Sequence, residues 1–232
     1  MKASERLIVA LDYPTLDEAL RLVDQLGSTV TFYKVGLELM TAAGAPAVTA
    51  ALKARGVKIF LDGKYNDIPN TIEGAARETA KLGVTLFNVH GSIGTKAMEL
   101  AARAKGNSKV IAVTVLTALS DADCREIFHT GASEKVVEFA TAAQKAGLDG
   151  VVCSPLELEL LSSFKNFWKV TPGVRPGWAS TDDQKRVMTP EEALKKGATH
   201  LVIGRPITKP PTAIGSPQNA ALKILEEMEK AL

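Results

Sequence analysis

Short apolar runs alternate along the chain with longer segments in which apolar residues return every three or four positions. A short apolar run bounded by polar residues is typical of a buried strand, whereas the longer spacing is typical of a helix that packs on one face. The pattern predicts strands over residues 7–11, 31–35, 58–61, 86–89, 110–115, 150–153, 168–170 and 201–203. It predicts helices over residues 16–26, 42–56, 71–83, 94–105, 134–147, 190–197 and 219–232.

This alternation of strand and helix runs through the 232 residues with no break in composition and no linker. Regular alternation favours parallel strands, and about eight units favour a closed (β/α)8 TIM barrel formed as one domain over residues 1–232. A doubly wound open sheet is the alternative. The G-x-G-x-x-G signature of its dinucleotide-binding form does not follow the first predicted strand.

Composition and charge mainly exclude other classes of protein. The net charge of +2 provides no basic stripe for a phosphate backbone, so we expect no nucleic-acid partner. No apolar run approaches the roughly 18 residues that span a bilayer, so we expect no membrane association. Cys124 and Cys153 fit neither a metal-binding spacing nor a disulfide framework, which favours a cytoplasmic location.

Charged residues stand at the carboxyl ends of the first three predicted strands. Asp12 ends the first, Lys34 lies near the end of the second, and Asp62 and Lys64 close the third. Such barrels carry their active sites at these strand ends, which the fold brings together. Asp62 and Lys64 are two residues apart, so an extended chain projects both side chains to the same side. Four charges of alternating sign indicate a functional cluster rather than solvated loop residues.

Lys64 lies in the sequence between two carboxylates, those of Asp62 and Asp67. A Schiff-base lysine must lose its proton, whereas flanking carboxylates hold the ammonium in its charged form. We therefore predict that Lys64 donates a proton to a reacting carbon, with Asp62 and Asp67 positioning it. An alternative role for Asp67 is to cap the helix that follows, with Thr71 merely a residue of that helix's first turn.

A phosphate site is predicted after the last two strands, where barrels of this class use backbone amides at a glycine and a helix N-terminus. Gly204 and Arg205 fit that role, and Arg175 is a second candidate anchor. The loop over residues 173–190 is long for a strand-to-helix connection and predicts a lid that brings Gln184 to a ligand. The alternative for this loop is an ordinary surface segment.

The motif LDGKYNDIPNT, residues 61–71, resembles the Asp-x-Lys-x-x-Asp-Ile-Pro-Asn-Thr signature of the orotidine 5'-monophosphate decarboxylase family, in its bacterial single-function form. The likeness covers nearly the whole chain, through VALD, FYKVG, VTVLT, TPGVRP with DQKRVMTP, and IGRPIT. It implies a carboxy-lyase of pyrimidine biosynthesis that makes uridine monophosphate. Gly63 departs from the bulkier residue that this family more often carries there, which is expected to loosen the strand slightly.

The resemblance implies a role for each charged residue of the cluster. Asp12 and Lys34 hold the ribose hydroxyls, and Lys34 also joins the charged network. Asp62 lies near the substrate carboxylate, and Lys64 protonates C6 once carbon dioxide has left.

It also implies a homodimer and a set of binding residues. The residues that reach into the partner's site are Asp67, Ile68 and Thr71. Thr117 contacts the pyrimidine. The phosphate is held by Gln184, Arg175, Gly204 and Arg205, and Gln184 also bridges toward the base.

No metal or organic cofactor is implied, and the three histidines, His90, His129 and His200, form no close ligand cluster in the sequence. For His90 we expect a structural hydrogen-bonding role. Two other functions stay open. One is a magnesium-dependent sugar-phosphate decarboxylase or aldolase that shares the Asp-x-Lys-x-x-Asp core on the same barrel. The other is a nucleotide-binding protein that has lost its chemistry.

Overall fold

The computed structural model describes residues 2–179 and 188–232. Within them, parallel strands close into a barrel in chain order, which confirms the predicted (β/α)8 architecture and removes the open-sheet alternative. The strands are β1 Leu7–Leu11, β2 Phe32–Val35, β3 Lys58–Tyr65, β4 Leu86–His90, β5 Lys109–Val113, β6 Gly150–Val152, β7 Trp168–Pro172 and β8 His200–Ile203. The barrel closes where β1 pairs with β8, with Val9 opposite Ile203.

Helices surround the barrel. They are α1 Ala3–Arg6, α2 Leu16–Leu26, α3 Leu37–Ala43, α4 Ala45–Lys53, α5 Pro69–Lys81, α6 Gly94–Ala104, α7 Asp121–Phe128, α8 Ala132–Lys145, α9 Pro190–Lys195, α10 Arg205–Thr208 and α11 Pro217–Glu229. The prediction of one helix over residues 42–56 is wrong, because Gly44 adopts a φ of +77° and separates α3 from α4. Among the described helices, none is long and apolar enough to cross a membrane.

Two apolar layers form the core. One fills the space between the barrel and its helices, and the other lies inside the barrel. The buried members of the inner layer come from alternate strand positions, namely Ile8, Ala10, Phe32, Phe60, Leu86, Ile111, Val170 and Val202. Two residues further along β1 to β4, the same alternation reaches Asp12, Lys34, Asp62 and Asn88. The packed interior therefore ends in a polar layer at the carboxyl mouth.

Candidate active site

Asp62 is the centre of the polar layer at the barrel mouth. Its Oδ1 lies 2.8 Å from the Lys64 ammonium nitrogen, and its Oδ2 lies 3.4 Å from the ammonium nitrogen of Lys34. Lys34 also contacts Asp12 Oδ1 at 3.0 Å. The sequence suggested a lysine held between two carboxylates. The structure instead places the Asp62 carboxylate between two ammonium groups. Among the described residues, Asp67 forms no ion pair with this network.

Lys34 is enclosed by the cluster that it helps to build, and its side chain is only 12% exposed. Burial acts to lower the pKa of Lys34, but the carboxylates of Asp62 and Asp12 outweigh it and raise the pKa above its ordinary value. Lys34 therefore carries its positive charge throughout the physiological range. A fixed cation at the mouth suits an anionic ligand.

Lys64 stands on an irregular part of β3. The pairing of β3 with β4 shifts register between Leu61 and Tyr65, and Lys64 adopts a φ of +49°. A left-handed conformation is uncommon for a residue with a side chain, and such strain is found most often at functional sites. The extended-strand argument placed Lys64 beside Asp62 correctly, but the two side chains meet where the pairing of β3 with β4 shifts register and not in a regular strand.

Asn88 was missed in the sequence because it lies within an apolar run of β4. Its buried amide accepts from the Lys64 backbone N–H at 2.7 Å and donates to Asp62 Oδ1 at 2.7 Å. Asn88 lies two residues after Leu86, so the alternation of a strand directs both side chains into the barrel. A polar residue at such a position is the sequence signal for Asn88.

His90 ends β4 beside this cluster and hydrogen-bonds with Ser92, with 2.7 Å between Nδ1 and Oγ. Desolvation by burial, and then the nearby positive charge of Lys64, lowers the pKa of His90 below its ordinary value. The imidazole is therefore neutral at physiological pH. The expected hydrogen-bonding role of His90 agrees with this contact.

The segment Asp67, Ile68 and Thr71 points to solvent and lies outside the charged network of its own chain. Within the part of the chain that the structure describes, Asp67 Oδ1 accepts from the neighbouring Ile68 N–H, at 2.7 Å. The suggestion that Asp67 caps α5 is wrong, because the N-cap residue is Ile68 and no side chain caps this helix end. Thr71 lies in the first turn of α5 and is exposed.

The residues predicted to bind phosphate fall into two places. Gly204 and Arg205, at the start of α10, line a cavity of about 760 Å³ that also contains Asp12. Arg175 is buried and lines a separate pocket after β7, where its backbone N–H donates to Met188 O at 3.0 Å. Gln184 lies outside the described residues. Thr117 is exposed on the loop after β5.

Two glycines make room for neighbouring side chains. A Cβ on Gly36 would lie 2.7 Å from the Lys34 ammonium nitrogen and 3.0 Å from Asp12 Oδ1. A Cβ on Gly63 would lie 2.7 Å from the ring of Tyr65, whose hydroxyl lies 2.8 Å from Thr79 Oγ1. The expectation that Gly63 loosens the strand is incomplete, because Tyr65 occupies the space that a larger residue at position 63 would need.

In the described part of the chain, no three His, Cys, Asp or Glu side chains are grouped so as to hold a metal ion. The mouth presents two ammonium groups, the Asp62 carboxylate between them, the Asp12 carboxylate beside Lys34 and an adjacent cavity lined by Arg205. Together they suit an anionic substrate and a proton transfer.

Known proteins are similar to this chain over nearly its whole length. Residues 5–223 match the family model described as "Orotidine 5'-phosphate decarboxylase / HUMPS family". The orotidine 5'-phosphate decarboxylase of Caulobacter vibrioides is 46% identical, with 98% of this chain and 99% of the relative covered. The enzyme of the same name from Heliobacterium modesticaldum is 44% identical, with 100% and 99% covered.

A solved structure extends the likeness to three dimensions. The crystal structure of orotidine 5'-phosphate decarboxylase from Lactobacillus acidophilus matches with a TM-score of 0.82 and 35% identity, over 96% of this chain and 98% of that one. Sequence and fold thus agree. The chain belongs to the orotidine 5'-phosphate decarboxylase / HUMPS family.

Proposed function

We propose that this protein is a carboxy-lyase that converts orotidine 5'-monophosphate to uridine 5'-monophosphate and carbon dioxide, a step of pyrimidine biosynthesis. The observation that carries the proposal is Asp62 fixed between Lys34 and Lys64 at the barrel mouth. The names of relatives that match almost end to end support it. They do not favour the magnesium-dependent sugar-phosphate alternative.

In the proposed step, the bond between C6 and the carboxylate carbon breaks and its electron pair stays on C6. Carbon dioxide leaves, and the Lys64 ammonium first stabilises the carbanion and then transfers a proton to C6. A solvent proton later restores the ammonium. Asp62 keeps the ammonium nitrogen 2.8 Å away and in place, and its charge also opposes the substrate carboxylate in the ground state.

Binding groups away from the reacting carbon supply the energy that holds the substrate in position. Asp12 and Lys34 bind the ribose hydroxyls. Thr117 contacts the pyrimidine. The phosphate is assigned to Gly204, Arg205, Arg175 and Gln184, of which Gly204 and Arg205 share a cavity with Asp12. An arginine fork matches phosphate oxygens well, so Arg205 is the main anchor.

The active form in this proposal is a homodimer in which Asp67, Ile68 and Thr71 complete the partner's site. The support is their exposure at the mouth, where Ile68 is 66% exposed. Leu37 and Leu116, which follow β2 and β5, are also exposed at this end of the barrel. We place the enzyme in the cytoplasm, because Cys124 and Cys153 are free thiols within the core.

The test is the loss of orotidine monophosphate absorbance with purified protein in the presence of a chelator. Conversion to uridine monophosphate is the expected result and shows that no chelatable metal is needed. Absence of conversion by folded protein, followed by turnover of a sugar phosphate once magnesium is added, would replace this proposal with the alternative.

A further inference from the structure

Asn88 is the buried polar group that ties the two central residues of the site together. Its side chain is fully buried, and it bridges from β4 to two atoms of β3. A backbone N–H can only donate and a carboxylate can only accept. The amide orientation is therefore determined, with Oδ1 toward Lys64 N and Nδ2 toward Asp62 Oδ1.

The two hydrogen bonds act where the β3–β4 ladder is interrupted. The register shift between Leu61 and Tyr65 removes regular strand pairing around Lys64. The side-chain oxygen of Asn88 accepts a hydrogen bond from the Lys64 N–H at this place. It thereby holds a backbone whose φ of +49° is unfavourable for lysine.

The same amide restricts the carboxylate. Asp62 Oδ1 receives both the Lys64 ammonium and the Asn88 amide, so the carboxylate cannot rotate without losing one of them. We infer that Asn88 is a positioning residue for the proposed decarboxylation, fixing the Lys64 backbone and the Asp62 carboxylate so that the ammonium meets C6. The inference rests on the proposed function.

The test compares Asn88→Ala with wild type and with Ser108→Ala. Ser108 is also buried and donates one hydrogen bond of 2.7 Å, to Val84 O, but it lies at the opposite end of the barrel. We expect Asn88→Ala to lower kcat roughly 100-fold, the scale of a small misplacement of a reacting group. KM should change by less than about threefold, because phosphate and ribose contacts remain. Ser108→Ala should keep the wild-type kcat.

Asn88→Asp is the second variant, to be used if Asn88→Ala does not fold. Aspartate has nearly the same shape as asparagine. Ionised aspartate still accepts from Lys64 N but repels Asp62, whereas protonated aspartate regains a donor. The ratio of its kcat to that of wild type should rise as pH falls. The titratable groups that face position 88 are Asp62, Lys64, Lys34 and His90. They occur in both proteins, so the ratio removes the pH dependence that the two proteins share and leaves that of the new carboxyl group and its coupling to these neighbours.

A folded Asn88→Ala protein with kcat within about threefold of wild type would overturn the inference, as would an Asn88→Asp ratio that does not depend on pH. An inactive wild type would instead refute the proposed function. The two failures are therefore distinct.

Discussion

At the scale of single residues, Gly36 is required by the ion pair that it adjoins. Its own φ of −93° suits any residue, so the constraint is the space taken by Lys34 and Asp12. We expect Gly36→Ala to displace the ammonium and lower kcat/KM roughly tenfold with little change in unfolding temperature. Gly74→Ala, within α5 and with its nearest neighbouring atom at 3.9 Å, is the control and should keep full activity. Equal kcat/KM for both variants would contradict the account.

The charged residues of the mouth were predictable because the carboxyl ends of barrel strands converge. Asp12, Lys34, Asp62 and Lys64 were found by this rule alone. Asn88 and Gly36 were not, since one lies inside an apolar run and the other is constrained by a distance that spacing does not reveal. The left-handed backbone of Lys64 was also beyond prediction, because it arises from a register shift between two strands.

At the scale of elements, apolar runs located each strand to within a few residues. The largest error among the strands is β3, predicted to end at residue 61 and observed to continue to Tyr65, because polar active-site residues end the apolar pattern before the strand itself ends. Helix α7 was missed, since its eight residues include only a short apolar face. At β3, active-site residues interrupt the apolar pattern of the strand. At α7, the helix is too short for its apolar spacing to be recognised.

The start of α11 shows how a cap was overlooked. The periodic pattern suggested a start at Asn219, whereas α11 begins at Pro217, with Ser216 Oγ accepting from the Asn219 N–H at 3.1 Å. We expect Ser216→Ala to lower the free energy of unfolding by about 1 kcal/mol, measured by urea denaturation. Ser216→Thr keeps the acceptor and should retain most of the wild-type stability. Similar losses in both variants would show that the cap is unimportant.

At the scale of the whole molecule, stability depends on a histidine at the amino end of the barrel. His200 stacks on Trp168, with 4.0 Å between ring centroids, and is 1% exposed. Desolvation by burial, assisted by Arg6 and Lys58, lowers the pKa of His200 from 6.5 to about 4. Below pH 6.5, His200 binds a proton in the unfolded chain, whereas in the folded protein it stays neutral until the pH approaches about 4. Folding stability is therefore lost as pH falls from about 6.5 to about 4.

This pKa shift lowers the free energy of unfolding by about 3 kcal/mol at the acidic end of that window. His200→Phe keeps an aromatic ring on Trp168 and should lose this part of the pH dependence, as measured by urea unfolding at several pH values. His129→Asn, at an exposed position, should retain the wild-type dependence. The assignment fails if the His200→Phe and wild-type curves fall in parallel with acid.

The proposed dimer predicts that active sites are shared between protomers. Lys64→Ala and Asp67→Ala should each be inactive alone, because each removes a residue from every site. In an equal mixture, half of the dimers are mixed, and each of these has one site with both residues intact. About a quarter of wild-type activity should therefore return after subunit exchange. Continued inactivity of a mixture shown to contain mixed dimers would refute sharing by Asp67.

The role of Lys64 as the proton donor is tested by the kcat/KM of Lys64→Ala for orotidine monophosphate, measured beside wild type from the loss of substrate absorbance. We expect a loss of roughly 1000-fold or more in a protein that stays folded and still binds uridine monophosphate. A folded Lys64→Ala protein within about tenfold of wild type would contradict the role of Lys64 as the acid.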